Sequence, residues 1–98
     1  MKIKVEAYVK KGCDLCQEAL QVIQKVHGEM PFIFREVDIA SSEDLFRRYH
    51  TSVPTIFINA VKSFKFKVDE EEFRKKLRRE IIKAKVSRLS TNKIALSK

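Results

Sequence analysis

Lys10-Lys11-Gly12-Cys13-Asp14-Leu15-Cys16 joins two segments of different periodicity. Before it, Ile3, Val5, Ala7 and Val9 alternate with Lys4, Glu6 and Tyr8, the period of two expected of a strand with one buried face. After it, Leu15, Ala19, Leu20, Ile23 and Val26 recur at spacings of three and four as far as His27-Gly28, which predicts a helix that starts at the cysteines and stops at the glycine. A strand, a short loop and a helix with Cys-x-x-Cys at its head set the frame for everything downstream.

Pro31 opens the stretch from Phe32 to Ile39, aromatic and β-branched and too short for an ordinary helix, which predicts a second strand. Ser41 and Ser42 can cap a short helix with Glu43 and Asp44 in its first turn and Leu45, Phe46 and Tyr49 facing inward. Val53-Pro54 precedes a third strand, Thr55 to Asn59. A short link then reaches a fourth, Phe64 to Val68, whose lysines blunt an exposed edge. Asp69 and Glu72 form a capping-box pattern ahead of a last helix with Phe73, Leu77, Ile81 and Ala84 on one face. Beyond about Val86 the periodicity fades, so residues 1–86 read as one domain and 87–98 as a basic C-terminal tail, frayed or mobile. The order βαβαββα makes the first two strands parallel through a right-handed crossover. It predicts an α/β fold with a four-stranded mixed sheet and helices on both faces.

At 98 residues, 44% hydrophobic and 35% charged with 2 Gly and 2 Pro, the chain suits a single core and not a disordered or low-complexity segment. No apolar run approaches the roughly 20 residues of a membrane span, and Met1 to Glu6 lacks the apolar stretch of a signal peptide. A cytoplasmic monomer without membrane contact is the expectation. The net charge of +8 is unevenly placed: residues 1–61 carry eight Lys/Arg against eight Asp/Glu, residues 62–98 thirteen against five.

Two cysteines three residues apart cannot staple a small secreted domain, so their role is chemical. A thiol at a helix N-terminus faces unpaired N–H groups and the positive end of the dipole, which favour the thiolate. Cys13 is the expected nucleophile. Cys16, nearly one turn further on, can attack a mixed disulfide formed at Cys13 and is the expected resolving thiol. Lys10 and Lys11 favour the anion while Asp14 opposes it. The competing readings are an inert buried pair and a metal site. Zinc needs four ligands, there is no second cysteine pair, and His27 and His50 lack ligand spacing, which leaves a zinc or iron–sulfur centre shared between two chains as the metal alternative.

With these residues in view, the chain resembles the glutaredoxin-like branch of the thioredoxin-like superfamily, and more narrowly its small members with a Cys-x-Leu-Cys motif. The resemblance spans about Ile3 to Glu80 and rests on Tyr8 to Cys16, Glu36-Val37-Asp38-Ile39, Ser52-Val53-Pro54-Thr55 and Val68-Asp69-Glu70-Glu71. It implies thiol–disulfide oxidoreductase activity, a cis Pro54 against the cysteine pair, and a Val53 backbone that pairs with substrate like an added strand. On residue chemistry alone a trans proline opening a strand is the default. The chain departs from the family pattern in having Ala7 where thioredoxins carry a buried acid and no Trp. It also has Leu15 and Phe66-Lys67-Val68 where glutaredoxins commonly hold glutathione with a Tyr and a Gly-Gly turn. Glutathione and a protein reductase both stay open as the recycling partner.

The expected substrate is a disulfide-containing protein or a small thiol, contacted by Lys10, Lys11, Leu15, Val53 and Pro54, with Thr51 and Lys67 as further candidates for a carboxylate. No metal or organic cofactor is expected beyond the reducing thiol or reductase. In the basic last helix Glu71 with Lys75 and Glu72 with Lys76 are i,i+4 pairs, and no stacking aromatics are interleaved, which favours a solvated face over a nucleic-acid surface. The alternative function is a binding module on the same fold, whose basic helix holds nucleic acid or an acidic protein.

Overall fold

The computed structural model describes residues 2–97, with side chains through residue 85. β1 (Lys4–Val9) turns Val5, Ala7 and Val9 to one face of the sheet and Glu6 and Tyr8 to the other. α1 (Asp14–His27) buries Cys16, Ala19, Leu20, Ile23 and Val26 and leads to β2 (Ile33–Asp38), which runs parallel to β1. Then come α2 (Glu43–Tyr49), the hairpin of β3 (Thr55–Ile58) and β4 (Val61–Lys65), and α3 (Glu70–Ser97). The strand order is β2-β1-β3-β4, with β3 antiparallel to β1 and β4 antiparallel to β3.

The alternation along β1 decides which helix lies where. Phe73 and Leu77 of α3 join Ile23 and Val26 of α1 and Val5 and Ile56 of the sheet in one buried cluster. Phe73 meets Phe32 and Phe64 edge-on, each at 6.0 Å between ring centroids. On the opposite face Tyr49 of α2 rests 4.9 Å from Tyr8 and meets Phe57 edge-on. Helices therefore cover both faces of a four-stranded mixed sheet, the βαβαββα arrangement that the periodicity predicts. Among the described residues no helix is long and apolar enough to cross a membrane.

Two details differ from the sequence expectation. β4 begins at Val61, three residues before Phe64, because Asn59 (φ 50°) and Ala60 (φ 66°) alone form the turn. Two left-handed residues match the twist of the flanking strands. Asn59 is fastened there by its N–H to the Lys4 carbonyl (2.8 Å), by its Oδ1 accepting the Lys4 N–H (2.9 Å) and by its Nδ2 donating to Glu80 (3.0 Å). Phe46 is 47% exposed and stacks on His50, whereas Leu45 and Tyr49, four apart, take the inward face. The α3 backbone is helical through Ser97, and the side chains of the segment read as a frayed or mobile tail lie outside the described residues.

The start of α3 is tied to the end of α1 by charge. Arg74 donates to Glu29 (2.8 Å), Glu70 (2.6 Å) and Glu71 (2.7 Å), and Lys25 lies 3.2 Å from Glu70. Arg74 holds the Glu29 carboxyl below its usual range; Lys25, then Arg74, does the same for Glu70. A carboxyl depressed in the folded state stabilises it above the ordinary pKa, and that contribution disappears as pH falls through the folded value.

Replacing Arg74 with Met is expected to lower the melting temperature at neutral pH, with the gap from wild type closing as the solution is taken well below the ordinary Glu pKa of about 4.3. Thermal melts across that range check it. Phe73→Ala removes the aromatic centre of the core and is expected to cost about 3–5 kcal/mol in urea unfolding.

Candidate active site

The site is built where β1 ends. Lys10 leaves the strand, and Gly12 takes φ 72°, a left-handed conformation that glycine adopts without steric cost. No atom lies within 4 Å of where its Cβ would be, so backbone freedom and not space calls for glycine. Cys13 is the N-cap of α1, with extended φ −110° and ψ 108°. Its Sγ accepts the N–H of Cys16 at 3.1 Å, and its carbonyl accepts the Gln17 N–H to begin the helical ladder. Sulfur occupies the place usually taken by a capping hydroxyl or carboxylate.

The two cysteines are bonded to each other, with Cα atoms 5.2 Å apart. Their surroundings differ. Cys16 is 0% exposed and belongs to the core, whereas Cys13 is half-buried and packs against it. A group arriving from solvent meets Cys13 first.

The predicted contact residues fall on separate sides of this pair. Lys10 and Lys11 line a cavity of about 140 Å³ with Cys16, Gln17, Glu36 and Asp38. Sequence reading did not single out the two carboxylates as site residues. The signal lies in register: Glu36 stands opposite Ala7 and Asp38 opposite Val9, so both share the face of β1 that α1 covers. Asp38 also caps the short turn after β2 through the Ala40 N–H (2.9 Å). Leu15 lies in a different groove with Glu18, Ala19, Val22, Phe66, Lys67 and Val68.

Val53 and Pro54 are buried, joined by a cis peptide, and lead directly into β3. The Thr55 hydroxyl donates to the Ser52 carbonyl across this bend, and the Pro54 carbonyl accepts the Phe66 N–H at 2.8 Å. Val53 shares the buried cluster with Cys16; Thr51 is exposed and stands apart from both grooves.

Each histidine closes the end of its helix by contacting a backbone carbonyl, His27 that of Phe32 and His50 that of Phe46, both at 2.9 Å. Among the described residues no group of three or more His, Cys, Asp or Glu could hold a metal ion. Several basic side chains of α3 have local partners: Lys75 with Glu72, Lys83 with Glu80, and Lys76 with the Ser63 carbonyl and the Phe64 ring.

A thioredoxin-like fold with a bonded Cys-x-x-Cys at the head of its first helix defines a protein of redox type. The chain belongs to the family of the glutaredoxin-like domain (DUF836), whose sequence pattern matches residues 4–87. Among solved structures it is similar to Fasciola hepatica thioredoxin, with a TM-score of 0.60 and 20% identity over 80% of each chain. It is also similar to the X. campestris protein XcR50, with a TM-score of 0.63 and 20% identity over 76% of this chain and 95% of that one. Reduced Schistosoma mansoni thioredoxin matches with a TM-score of 0.61 and 18% identity, over 80% of this chain and 78% of that one. At these identities the likeness concerns the fold. No curated protein matches the chain.

The difference in burial sets an order of reactivity. When the pair is reduced and treated briefly with limiting iodoacetamide, fragment mass spectra are expected to place most of the label on Cys13; equal labelling would contradict the geometry.

Proposed function

We propose that this protein is a thiol–disulfide oxidoreductase in which Cys13 is the nucleophile and Cys16 the resolving thiol. The observation that carries the reading is the Cys16 N–H directed at the Cys13 sulfur at the first turn of α1. An N–H donor and the positive end of the helix dipole both stabilise negative charge on that atom, so reduction leaves Cys13 poised as a thiolate.

The cycle begins with the reduced pair. The Cys13 thiolate attacks one sulfur of a substrate disulfide, forming a mixed disulfide and expelling the other half as a thiolate. Cys16 then loses its proton and attacks the Cys13 sulfur, which forms the Cys13–Cys16 bond and releases the remaining half of the substrate. Two electrons pass from the dithiol to the substrate, and the released thiolates take up protons. An external thiol or a protein reductase restores the pair, and glutathione and a reductase remain alternatives for that role. A reducing compartment such as the cytoplasm suits this direction of flow.

Substrate contacts are proposed for residues of the two grooves and of the bend before β3. The Val53 backbone, beside the cis Pro54, is assigned to pairing with an extended stretch of substrate. Lys10 and Lys11, beside the cavity that reaches Cys16, are assigned to a substrate carboxylate. Leu15 supplies an apolar contact on the opposite side.

Disulfide reduction by wild type, Cys13→Ser and Cys16→Ser tests the reading. Cys13→Ser is expected to fall to the uncatalysed rate, and Cys16→Ser to accumulate a mixed disulfide whose mass identifies the bound half of the substrate. Full activity in Cys13→Ser would remove the mechanism.

A further inference from the structure

Phe66 has a conformation that its own packing does not explain. It follows the last residue of β4 with φ 70°, a region that bulky L-residues rarely enter. The Lys67 N–H donates to the Lys65 carbonyl at 2.9 Å around it, a tight three-residue turn of the strained hand. Glycine would make this turn at no steric cost. The ring is not in the core: it is 41% exposed, with the Lys65 ammonium 5.2 Å above it. What fixes the residue is its N–H bond to the carbonyl of Pro54, which fastens it beside the cis peptide. A strained aromatic held at the surface, in one groove with Leu15 of the Cys-x-x-Cys segment, points to use by a ligand.

The ring lines one side of a groove whose other side is a single stripe of α1, formed by Leu15, Ala19 and Val22, with Val68 beyond and Glu18 and Lys67 as its polar members. The groove holds about 90 Å³. One water needs roughly 10–15 Å³ of such space, so the groove is large enough to admit a small aliphatic side chain. It begins at Leu15, between the two cysteines. Consecutive Cα atoms are about 3.8 Å apart, so a residue one or two positions from a substrate cysteine bonded to Cys13 reaches it.

We propose that Phe66 and Leu15 form a specificity groove for an aliphatic side chain flanking the substrate cysteine, so that the preferred substrate is a polypeptide disulfide and not glutathione disulfide. This rests on the dithiol reading above. Glutathione flanks its cysteine with a γ-glutamyl group and a glycine, and neither offers an aliphatic side chain to this apolar floor. A polypeptide can supply the side chain and also the extended backbone assigned to Val53.

The test uses three substrates: an intramolecular peptide disulfide with Leu beside each cysteine, the same peptide with Ser in place of Leu, and glutathione disulfide. Wild type is expected to reduce the Leu peptide with a kcat/KM at least about tenfold above the Ser peptide, the discrimination one aliphatic group can give in an apolar pocket. Glutathione disulfide is expected to rank below both. In Phe66→Gly the Leu-to-Ser ratio is expected to fall to about twofold or less. Because glycine relieves the left-handed φ, that variant is also expected to melt no lower than wild type, which separates lost specificity from lost fold. Leu15→Ser is the second variant, with the same fall in ratio expected from the opposite wall. An unchanged ratio in both variants, or wild-type turnover of glutathione disulfide as fast as the Leu peptide, would overturn the groove while leaving the dithiol chemistry intact. Failure of wild type on all three substrates would instead sink the oxidoreductase reading on which the groove depends.

Discussion

The amide of Cys16 points at the sulfur of Cys13, and the rest of the structure serves to keep it there. Cys13 can cap α1 only if β1 ends four residues earlier and the chain turns through a left-handed Gly12. The helix can hold its direction only if Ile23 and Val26 at its far end stay buried against the sheet and Phe73. The fold therefore presents the two cysteines unequally, one half-buried beside a helix terminus and one buried in the core. Inequality of this kind is what a two-step exchange needs, since one thiol must meet the substrate and the other must wait until the first has reacted.

The two flanks of the pair differ in chemistry. On the β2 side the surroundings are polar, with Lys10, Lys11, Glu36 and Asp38 about a small cavity that touches Cys16. On the side of the link between β4 and α3 they are mainly apolar, with Leu15, Val22, Phe66 and Val68. Away from the pair, several charges have structural partners. Arg74 and Glu70 of α3 reach Glu29, just past α1, and Lys25 near its end, and Lys75 and Lys83 each lie beside a carboxylate of α3 itself. In the last third of the chain, Arg74, Lys75 and Lys83 thus each have a carboxylate partner.

Most of the architecture is legible in the sequence because the periods are clean. The alternation from Ile3 to Val9 and the three-four spacing from Leu15 to Val26 give β1 and α1 nearly to the residue, with the cysteines between them. The hairpin is less legible. Asn59-Ala60 lacks the glycine that marks such turns, and the alternation from Phe64 to Val68 continues past the point where Phe66 breaks the ladder. Phe46 reads as an inward residue because it is aromatic, but helical geometry gives that face to Leu45 and Tyr49. At the site, Cys13 and Cys16 are evident from spacing, whereas Glu36 and Asp38 emerge only from strand register and Phe66 only from its backbone angle.

The central claim is electrostatic, and titration of the reduced protein by thiolate absorbance tests it most directly, with Cys16→Ala used to isolate the remaining sulfur. The account predicts that Cys13 ionises below the value of about 8.5 for an unperturbed thiol. A midpoint at or above that value would mean that the helix terminus does not hold the sulfur as an anion, and the assignment of Cys13 as nucleophile would fall with it.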